Sequence, residues 1–249
     1  MSGVFETLWP SSAVPPVLAP SEVHVWRVQV PDVGTEPAGW AGLLTSEERA
    51  RVERKRMPAD RQRELTSRSV QRQLLGGYLG VRPETIAFAT EQRGKPVLAG
   101  TAPGARLEFN LSHSGDWSLL AFVWNHPVGA DIERWRDLER DDLVRQFFAS
   151  AEQSEWSGIP PEERRAAFFA GWTRKEAYLK ALGVGLMKPL DSFAVRMAPD
   201  APAALLSCVE DPAAASRWRI DAFTPAEAYS AAIAVSSEVT AIRCFTFIC

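Results

Sequence analysis

The stretch GWTRKEAYLKALGVGL, residues 171–186, predicts an α-helix that ends at Gly183 and carries an unusual combination of side chains on one face. Because successive residues of a helix advance by about 100° around its axis, Trp172, Glu176 and Lys180 fall on one stripe. An aromatic ring, a carboxylate and an ammonium group on one stripe are typical of a functional site. They are also typical of an ordinary helix edge with a Glu–Lys pair, so the rest of the sequence has to decide between the two interpretations.

Composition restricts the class of protein. Of the 249 residues, 46% are hydrophobic and 24% are charged, which indicates a globular chain with a substantial core. The net charge of −3 argues against a general nucleic-acid binder. The three cysteines show no CxxC spacing, which favours free thiols in a reducing compartment over a structural zinc site. Neither an export signal nor a run of about eighteen apolar residues is evident, so we expect a cytoplasmic protein without membrane association.

Helical and strand patterns alternate along the chain. The four prolines within residues 10–20 predict a loose arm over residues 1–20, and the alternation in EVHVWRVQV (22–30) predicts a half-buried strand. A helix should begin at Thr45, with Glu48 as its capping-box partner, and a second should run from Asp60 to Gly76 and Gly77. Further helices are predicted over 139–148 and 160–182, and further strands over 85–90, 95–99, 106–112, 117–124, 128–135, 191–197, 217–223, 229–237 and 242–248.

These elements predict an α+β fold. Helices alternate with antiparallel hairpins once before about residue 125 and once after it. We therefore expect an N-terminal half over 21–125 and a C-terminal half over 126–249, of similar construction.

The segment VGADIE, residues 128–133, places two acids on one face of a strand. Because side chains alternate along a strand, Asp131 and Glu133 point away from the face of Val128 and Ile132, and Gly129 leaves space beside the acids. Two neighbouring carboxylates repel each other unless a cation lies between them, and oxygen ligands suit Mg²⁺. The alternative is a solvated strand end with two unimportant acids.

A second group of polar side chains follows the strand at 106–112. NLSHSGD, residues 110–116, offers Asn110, Ser112, His113 and Ser114 as donors to phosphate oxygens, although these residue types also favour an ordinary turn. The segment 47–72 carries nine Arg and Lys residues against five acids, which indicates either a local anion site or solvated helix faces. Phosphate donors, a magnesium site, and a Glu and a Lys from the 160–182 helix together favour phosphoryl transfer.

Several motifs in this order resemble the Sfp-type 4′-phosphopantetheinyl transferases: GKPVL, FNLSHSGDW, VGADIE, FFASAE, WTRKEAYLKALGVGL and PLDSF, within residues 43–195. The resemblance implies an enzyme that moves 4′-phosphopantetheine from coenzyme A to a serine of an apo acyl or peptidyl carrier protein and releases adenosine 3′,5′-bisphosphate. It implies a monomeric pseudodimer of two α+β halves, each an antiparallel sheet packed on helices, with coenzyme A in the cleft between them. The carrier would serve polyketide, nonribosomal peptide or fatty-acid synthesis.

The resemblance also implies residue roles. Asp131 and Glu133 would hold Mg²⁺, with Mn²⁺ as an alternative, and Glu176 would join them or act as the base. Glu152, in FFASAE, would be a second catalytic acid near the reaction centre, and Lys180 would meet the pyrophosphate. Ser112 would help to position the pyrophosphate.

For the nucleotide part of coenzyme A, the resemblance implies that His113, Arg63 and Arg51 meet the 3′-phosphate. Gly94, Lys95 and Pro96 would lie near the adenosine. Glu48 stands where some members of the family carry a basic residue, so the first basic helix should contribute less here. Two other classes stay open: a coenzyme A- or carrier-binding protein without turnover, and a nucleic-acid binder that uses residues 47–72.

Overall fold

The computed structural model of the chain describes residues 8–90, 94–100 and 106–248, except for the side chain of residue 186. Strands and helices alternate in the order β1 Ser11–Ser12, β2 Glu22–Gln29, α1 Trp40–Leu43, α2 Ser46–Glu53, α3 Pro58–Leu79, β3 Phe88–Thr90, β4 Pro96–Leu98, β5 Leu107–Ser114, β6 Trp117–Trp124, β7 Val128–Arg134, α4 Arg140–Phe147, α5 Ser150–Ser157, α6 Arg164–Leu182, β8 Phe193–Val195, β9 Leu205–Cys208, α7 Ala214–Arg217, β10 Trp218–Phe223, β11 Tyr229–Ser236 and β12 Ala241–Phe247.

Two main sheets, together with the two-stranded pairs β3-β4 and β8-β9, confirm the α+β fold. The larger sheet has the order β1-β12-β2-β6-β5, and the smaller one has the order β10-β11-β7. Neighbouring strands are antiparallel, except that β12 runs parallel to both β1 and β2. Strand β12 lies in the sequence region assigned to the C-terminal half but joins the sheet that contains β2, β5 and β6. The half boundaries drawn from the sequence stay a prediction.

The apolar side chains define four layers: helix α3, the larger sheet, the smaller sheet and helix α6. Strand β2 shows the principle, because Trp26 and Val28 pack with Leu74 and Leu75 of α3, whereas Val25 packs in a second cluster. That second cluster joins the larger sheet to β7 and β11 of the smaller one. Helix α6 covers the other face of the smaller sheet. Strand β2 is therefore covered on both faces, in place of the half-buried strand that its alternation predicts.

The structure refines two helix predictions. The capping box at the start of α2 is confirmed, because the Glu48 N–H donates to Thr45 Oγ1 at 3.2 Å and the Thr45 N–H donates to Glu48 Oε2 at 2.8 Å. Helix α3 begins at Pro58 and continues through the glycine pair at 76–77 to Leu79, so its predicted limits were wrong. A Cβ at Gly77 would lie 2.5 Å from Pro15 Cγ. Glycine is therefore needed here because the segment around Pro15 crosses the helix at this point, and it does not mark the end of the helix.

That crossing belongs to the N-terminal segment, which the sequence predicts to be loose. Residues 8–20 are instead anchored: Ser11 pairs with Thr246, Leu18 is buried, and the Trp124 indole N–H donates to Leu18 O at 3.2 Å. Residues 1–7 lie outside the described residues, as do 91–93 of the turn that the sequence predicts between β3 and β4. The pairing of β3 with β4 is confirmed.

Two smaller expectations concern thiols and membranes. Cys208 and Cys244 are buried and free, whereas Cys249 lies outside the described residues. None of the helices in the described ranges combines the length and the apolar composition that a membrane span requires.

A buried hydroxyl ties helix α3 to strand β2. Tyr78 OH accepts a hydrogen bond from the Trp26 indole N–H at 2.8 Å and lies 2.8 Å from Nδ1 of His24. Burial lowers the pKa of His24 to about 4, so its ring is neutral near pH 7 and accepts the tyrosine proton. One hydroxyl therefore satisfies two buried polar groups of the strand.

We expect Tyr78→Phe to lower the free energy of unfolding by about 1–3 kcal/mol, because it leaves buried polar groups without partners. Urea denaturation measures the loss. Tyr229→Phe is the matched control, since the Tyr229 hydroxyl accepts only one described hydrogen bond, from the Asp116 N–H at 2.9 Å. A loss for Tyr78→Phe no larger than that of the control would contradict this account.

Candidate active site

Helix α6 lies directly against strand β7, and a glycine makes this possible. A Cβ placed on Gly129 would lie 2.0 Å from the Ala177 carbonyl oxygen and 2.3 Å from the Ala181 nitrogen. Both distances are far below any van der Waals contact, so only glycine fits. The expectation that Gly129 leaves open space beside the strand acids was wrong, because the backbone of α6 fills that space.

The accessible stripe of α6 is the one that the sequence indicates. Between Gly171 and Ala181 every residue is buried except Trp172, Glu176 and Lys180, which are half-buried. Trp172 stacks on Phe168 of the same helix with ring centroids 6.0 Å apart, and its contact with Phe148, at 6.5 Å, packs α6 against the residue that follows α4. The three stripe residues line one cavity of about 500 Å³, whose other walls are Arg68, Leu111, Ser112, His113, Asp131 and Glu133.

Strand β5 supplies a row of polar side chains that face β7. The sequence predicts a strand over 106–112 and polar residues that favour a turn after it, but the strand continues to Ser114, so positions 110, 112 and 114 share one face. Asn110 Oδ1 accepts from the Ala130 N–H at 3.0 Å, and Ser114 Oγ donates to Glu133 Oε2 at 2.9 Å. Asn110 and Ser114 therefore hold β7 and its acids in place.

Asp131 lies at the centre of the cavity wall. Its Oδ1 accepts from Ser112 Oγ at 2.8 Å and from Lys180 Nζ at 2.6 Å, and Lys180 Nζ also donates to Ser112 Oγ at 3.0 Å. Its Oδ2 is buried and has no hydrogen-bond partner among the described residues. A buried carboxylate oxygen without a partner is costly, and a bound cation or a donor from a ligand would remove that cost.

The other two acids of the cavity have perturbed pKa values. Burial and the nearby Asp131 carboxylate raise the pKa of Glu133 above its usual value. Burial raises the pKa of Glu176 too, and the negative charges of Asp131 and Glu133 add to the effect. Three carboxylates that repel one another around one cavity are the donor chemistry that a hard divalent cation satisfies.

The geometry nevertheless does not form a closed metal site. Among the residues that the structure describes, no group of three or more His, Cys, Asp or Glu side chains is arranged to hold a metal ion. The cation beside Asp131 is the ammonium group of Lys180. The carboxylate oxygens of the cavity, including the unpartnered Oδ2 of Asp131, are suitable ligands for Mg²⁺. In the arrangement seen here, however, Asp131 contacts the ammonium group of Lys180.

Sequence reasoning missed two residues here: Arg68, which lines the cavity, and Glu64, which contacts Arg68 and His113 from outside the lining. Glu64, on α3, is buried, and its carboxylate contacts Arg68 Nε at 3.0 Å and His113 Nε2 at 3.7 Å. The contact with His113, followed by the charge of Arg68, lowers the pKa of Glu64 to about 2 against the cost of burial. The i,i+4 spacing of Glu64 and Arg68 was the available signal in the sequence.

The residues expected at the nucleotide of coenzyme A do not all meet in this cavity. Arg51 and Pro96 line a second cavity of about 470 Å³, which also has Arg68 in its wall. Arg63 lines neither cavity, because its guanidinium donates to the Gly115 carbonyl oxygen at 2.7 Å and to Asp60 at 2.9 Å.

Lys95 and Gly94 lie beside the end of helix α6. Lys95 Nζ donates to the Val128 carbonyl oxygen at 3.1 Å, and its side chain passes next to Gly183. Gly94 has a φ of 88°, a conformation that glycine adopts without strain. Glu48, in place of a basic residue, pairs with the buried Arg72 at 2.9 Å and so removes one positive charge from the second cavity.

Glu152, which the resemblance implies as a second catalytic acid, lies in a buried hydrogen-bond network away from the cavity. Its side chain is fully buried and accepts from Lys175 Nζ at 2.7 Å on both oxygens, from the Val195 N–H at 2.9 Å and from the Ala149 N–H at 2.7 Å. It lies outside the cavity lining. Four hydrogen bonds from three donor groups hold this carboxylate inside the protein, where it has no access to solvent.

Comparisons with known proteins agree with the combination of residues in the cavity. Residues 127–234 match the family described as the 4′-phosphopantetheinyl transferase superfamily, and residues 36–124 match the family described as 4′-phosphopantetheinyl transferase, N-terminal. The 4′-phosphopantetheinyl transferase HetI of Nostoc sp. is 37% identical over 222 residues, which cover 88% of this chain and 90% of HetI. The 4′-phosphopantetheinyl transferase Sfp of Bacillus subtilis is 32% identical over 158 residues, which cover 64% of this chain and 68% of Sfp.

Glu64 yields a prediction about acid stability. Its pKa is about 2 in the folded chain and about 4.5 when unfolded, so the unfolded chain binds the proton first as the pH falls. The stabilisation by Glu64 is therefore complete above about pH 4.5 and is lost as the pH falls towards 2. We expect the free energy of unfolding of Glu64→Gln to depend less on pH between 5 and 2 than that of the wild type.

Urea titrations at a series of pH values measure this difference. Glu47→Gln is the matched control, because Glu47 lies on an exposed helix surface and pairs only with Arg51 in the described chain. If the free energy of unfolding changes with pH in the same way for the wild type and Glu64→Gln, Glu64 does not stabilise the fold through these ion pairs.

Proposed function

This chain belongs to the 4′-phosphopantetheinyl transferase superfamily, as a transferase of Sfp type, and we propose that it moves the 4′-phosphopantetheine group of coenzyme A to a serine of an acyl or peptidyl carrier protein. The observation that carries the proposal is one cavity with three acids, Asp131, Glu133 and Glu176, beside the ammonium group of Lys180. Acids for a cation and donors for a diphosphate, in contact with each other, are what this reaction needs.

Binding of the donor follows from the positive groups of the cavity. Lys180 and Ser112 are within hydrogen-bond distance of each other and are proposed to bind the diphosphate of coenzyme A. Asp131 and Glu133 would hold Mg²⁺ or Mn²⁺, which leaves Glu176 for proton transfer. When bound, that ion supplies positive charge to offset the charge that grows on the leaving group.

Glu176 is the proposed base. The serine hydroxyl of the carrier gives its proton to the Glu176 carboxylate while the serine oxygen forms a bond to the phosphorus that carries pantetheine. The bond from that phosphorus to the bridging oxygen breaks, and the electron pair leaves with adenosine 3′,5′-bisphosphate.

The experiment that tests the function is a mass measurement on carriers. Apo acyl and peptidyl carriers are incubated with the protein, coenzyme A and Mg²⁺, and each carrier is weighed. A gain of one phosphopantetheine supports the proposal, whereas binding of coenzyme A or of a carrier without any gain supports the non-catalytic alternative. Strong salt-dependent binding to duplex DNA, without transfer, would favour the nucleic-acid alternative. The cytoplasmic location and the monomeric state stay predictions.

We expect Asp131→Asn to reduce transfer at least about a hundredfold while the fold persists, because loss of an outer partner of a metal site alone costs about 10–100-fold. The carrier mass assay gives the rate, and circular dichroism with a melting curve checks the fold. Asp137→Asn is the matched control, since Asp137 is exposed and pairs with Arg165 outside the cavity. Turnover near that of the wild type would remove Asp131 from the proposed mechanism.

The contact between Lys180 and Asp131 yields a prediction on cation binding. Lys180→Met removes a positive charge 2.6 Å from Asp131 Oδ1, so Mn²⁺ should bind at least about tenfold more tightly in the absence of coenzyme A. Isothermal titration with Mn²⁺ measures the affinity without any turnover. Lys188→Met is the control, because Lys188 pairs with Glu210 away from this cavity. Unchanged or weaker Mn²⁺ binding by Lys180→Met would contradict the prediction.

A further inference from the structure

The ammonium group of Lys180 is bound by the central acid of the cavity. Its Nζ donates to Asp131 Oδ1 at 2.6 Å and to Ser112 Oγ at 3.0 Å, and Ser112 Oγ itself donates to Asp131 Oδ1 at 2.8 Å. Asp131 and Ser112 are both buried, so solvent ions screen this contact much less than an exposed ion pair. Lys180 is therefore a strong internal partner of the Asp131 carboxylate.

The second oxygen of Asp131 is the atom that a divalent cation would take. Oδ2 is buried and has no hydrogen-bond partner among the described residues. Because both oxygens belong to one carboxylate, a cation at Oδ2 would lie close to the ammonium group at Oδ1, and the two positive charges would repel each other. The contact between Lys180 and Asp131 therefore opposes the binding of a divalent cation.

The side chain of Lys180 is free to move, although its backbone is held in place. The Lys180 carbonyl carbon would lie only 2.9 Å from a Cβ at Gly129, because α6 packs directly on β7 at this point. The side chain is half-buried and lines the cavity of about 500 Å³. Rotation of the side chain alone can thus turn the ammonium group from Asp131 into the cavity, without any movement of the helix.

A diphosphate in the cavity gives the ammonium group another partner. Phosphate oxygens form strong, charge-assisted hydrogen bonds with ammonium groups. The negative charge of the diphosphate also offsets the repulsion between the ammonium group and a divalent cation. The contact between Lys180 and Asp131 has to break for either ligand. When both ligands bind, it breaks only once, so the second ligand binds without this cost.

We propose that Lys180 couples the two ligands of the site: a divalent cation and Lys180 compete for Asp131, and a bound diphosphate ends the competition by taking the ammonium group. The inference rests on the proposed function, because it takes coenzyme A as the diphosphate. It deepens that function, because each ligand then raises the affinity for the other through one named side chain. Lys180 is an internal counter-cation that occupies Asp131 until the donor is bound.

The test measures this coupling by isothermal titration with the full-length protein. The coupling factor is the Kd of Mn²⁺ alone divided by the Kd of Mn²⁺ at saturating coenzyme A, with free Mn²⁺ corrected for the metal that coenzyme A binds in solution. By linkage, the same factor separates the Kd of coenzyme A in EDTA from its Kd in saturating Mn²⁺. Either pair of measurements therefore suffices for a variant with weak affinity for one ligand. We expect a factor of about 5–150 for the wild type.

Lys180→Met should lower the coupling factor at least about fivefold, because neither ligand then has to break a contact with Asp131. The factor that remains measures the direct attraction between the cation and the diphosphate. Lys180→Arg keeps the positive charge and should give a factor closer to that of the wild type than to that of Lys180→Met. Lys188→Met is the matched control and should have the factor of the wild type, because Lys188 pairs with Glu210 away from the cavity. A melting curve checks the fold of each variant.

The same factor in Lys180→Met and in the wild type, or no coupling in the wild type, would overturn the inference. Carrier modification by the wild type, measured in parallel, separates this inference from the function on which it rests. If the wild type modifies a carrier and Lys180→Met retains the full coupling, the inference fails and the function stands. If the wild type neither binds coenzyme A nor modifies any carrier, the proposed function itself fails.

Discussion

The contact between Gly129 and helix α6 is the constraint on which the site depends. The backbone of α6 approaches β7 so closely that a methyl group at Gly129 would overlap the Ala177 carbonyl oxygen at 2.0 Å. Any larger residue would push the helix outward, and the side chains of Glu176 and Lys180 would move away from Asp131 with it. The distance of 2.6 Å between Lys180 and Asp131 therefore follows from a packing contact two residues earlier on the same face of the strand.

A second constraint keeps the helix from rotating about its own axis. Lys175 and Lys180 are five residues apart, so they point to faces about 140° apart. Lys175 is buried and binds Glu152 and the Phe193 carbonyl oxygen, which ties α6 to α5 and β8. Breaking a buried pair of this kind costs about 3–5 kcal/mol, because it leaves one charge without a partner. Fixed on that side by Lys175 and against the strand by Gly129, the helix has one orientation in which its accessible stripe lines the cavity.

The sequence predicts well whatever depends on local spacing. The capping box of Thr45 and Glu48 and the stripe of α6 both follow from helical geometry alone, and the structure has both. What it could not predict depends on contacts between distant segments. The buried pairing of Glu152 joins it to Lys175, 23 positions away, and the open space expected beside Gly129 is filled by a helix about 50 residues later. Residues 8–20 were expected to be loose because prolines exclude regular structure, but prolines do not prevent a segment from packing across a glycine.

The basic helix α3 shows why composition alone cannot assign an anion site. Its surplus of arginines is real, yet Arg63 and Arg68 point in different directions because five positions separate them on the helix. Arg63 stabilises the loop at Gly115, whereas Arg68 shares the acid Glu64 with His113 and lines the cavity. A buried acid within a basic segment thus does more than lower the net charge. It fixes the guanidinium group of Arg68 in the cavity wall, and its pKa of about 2 keeps it ionised near neutral pH.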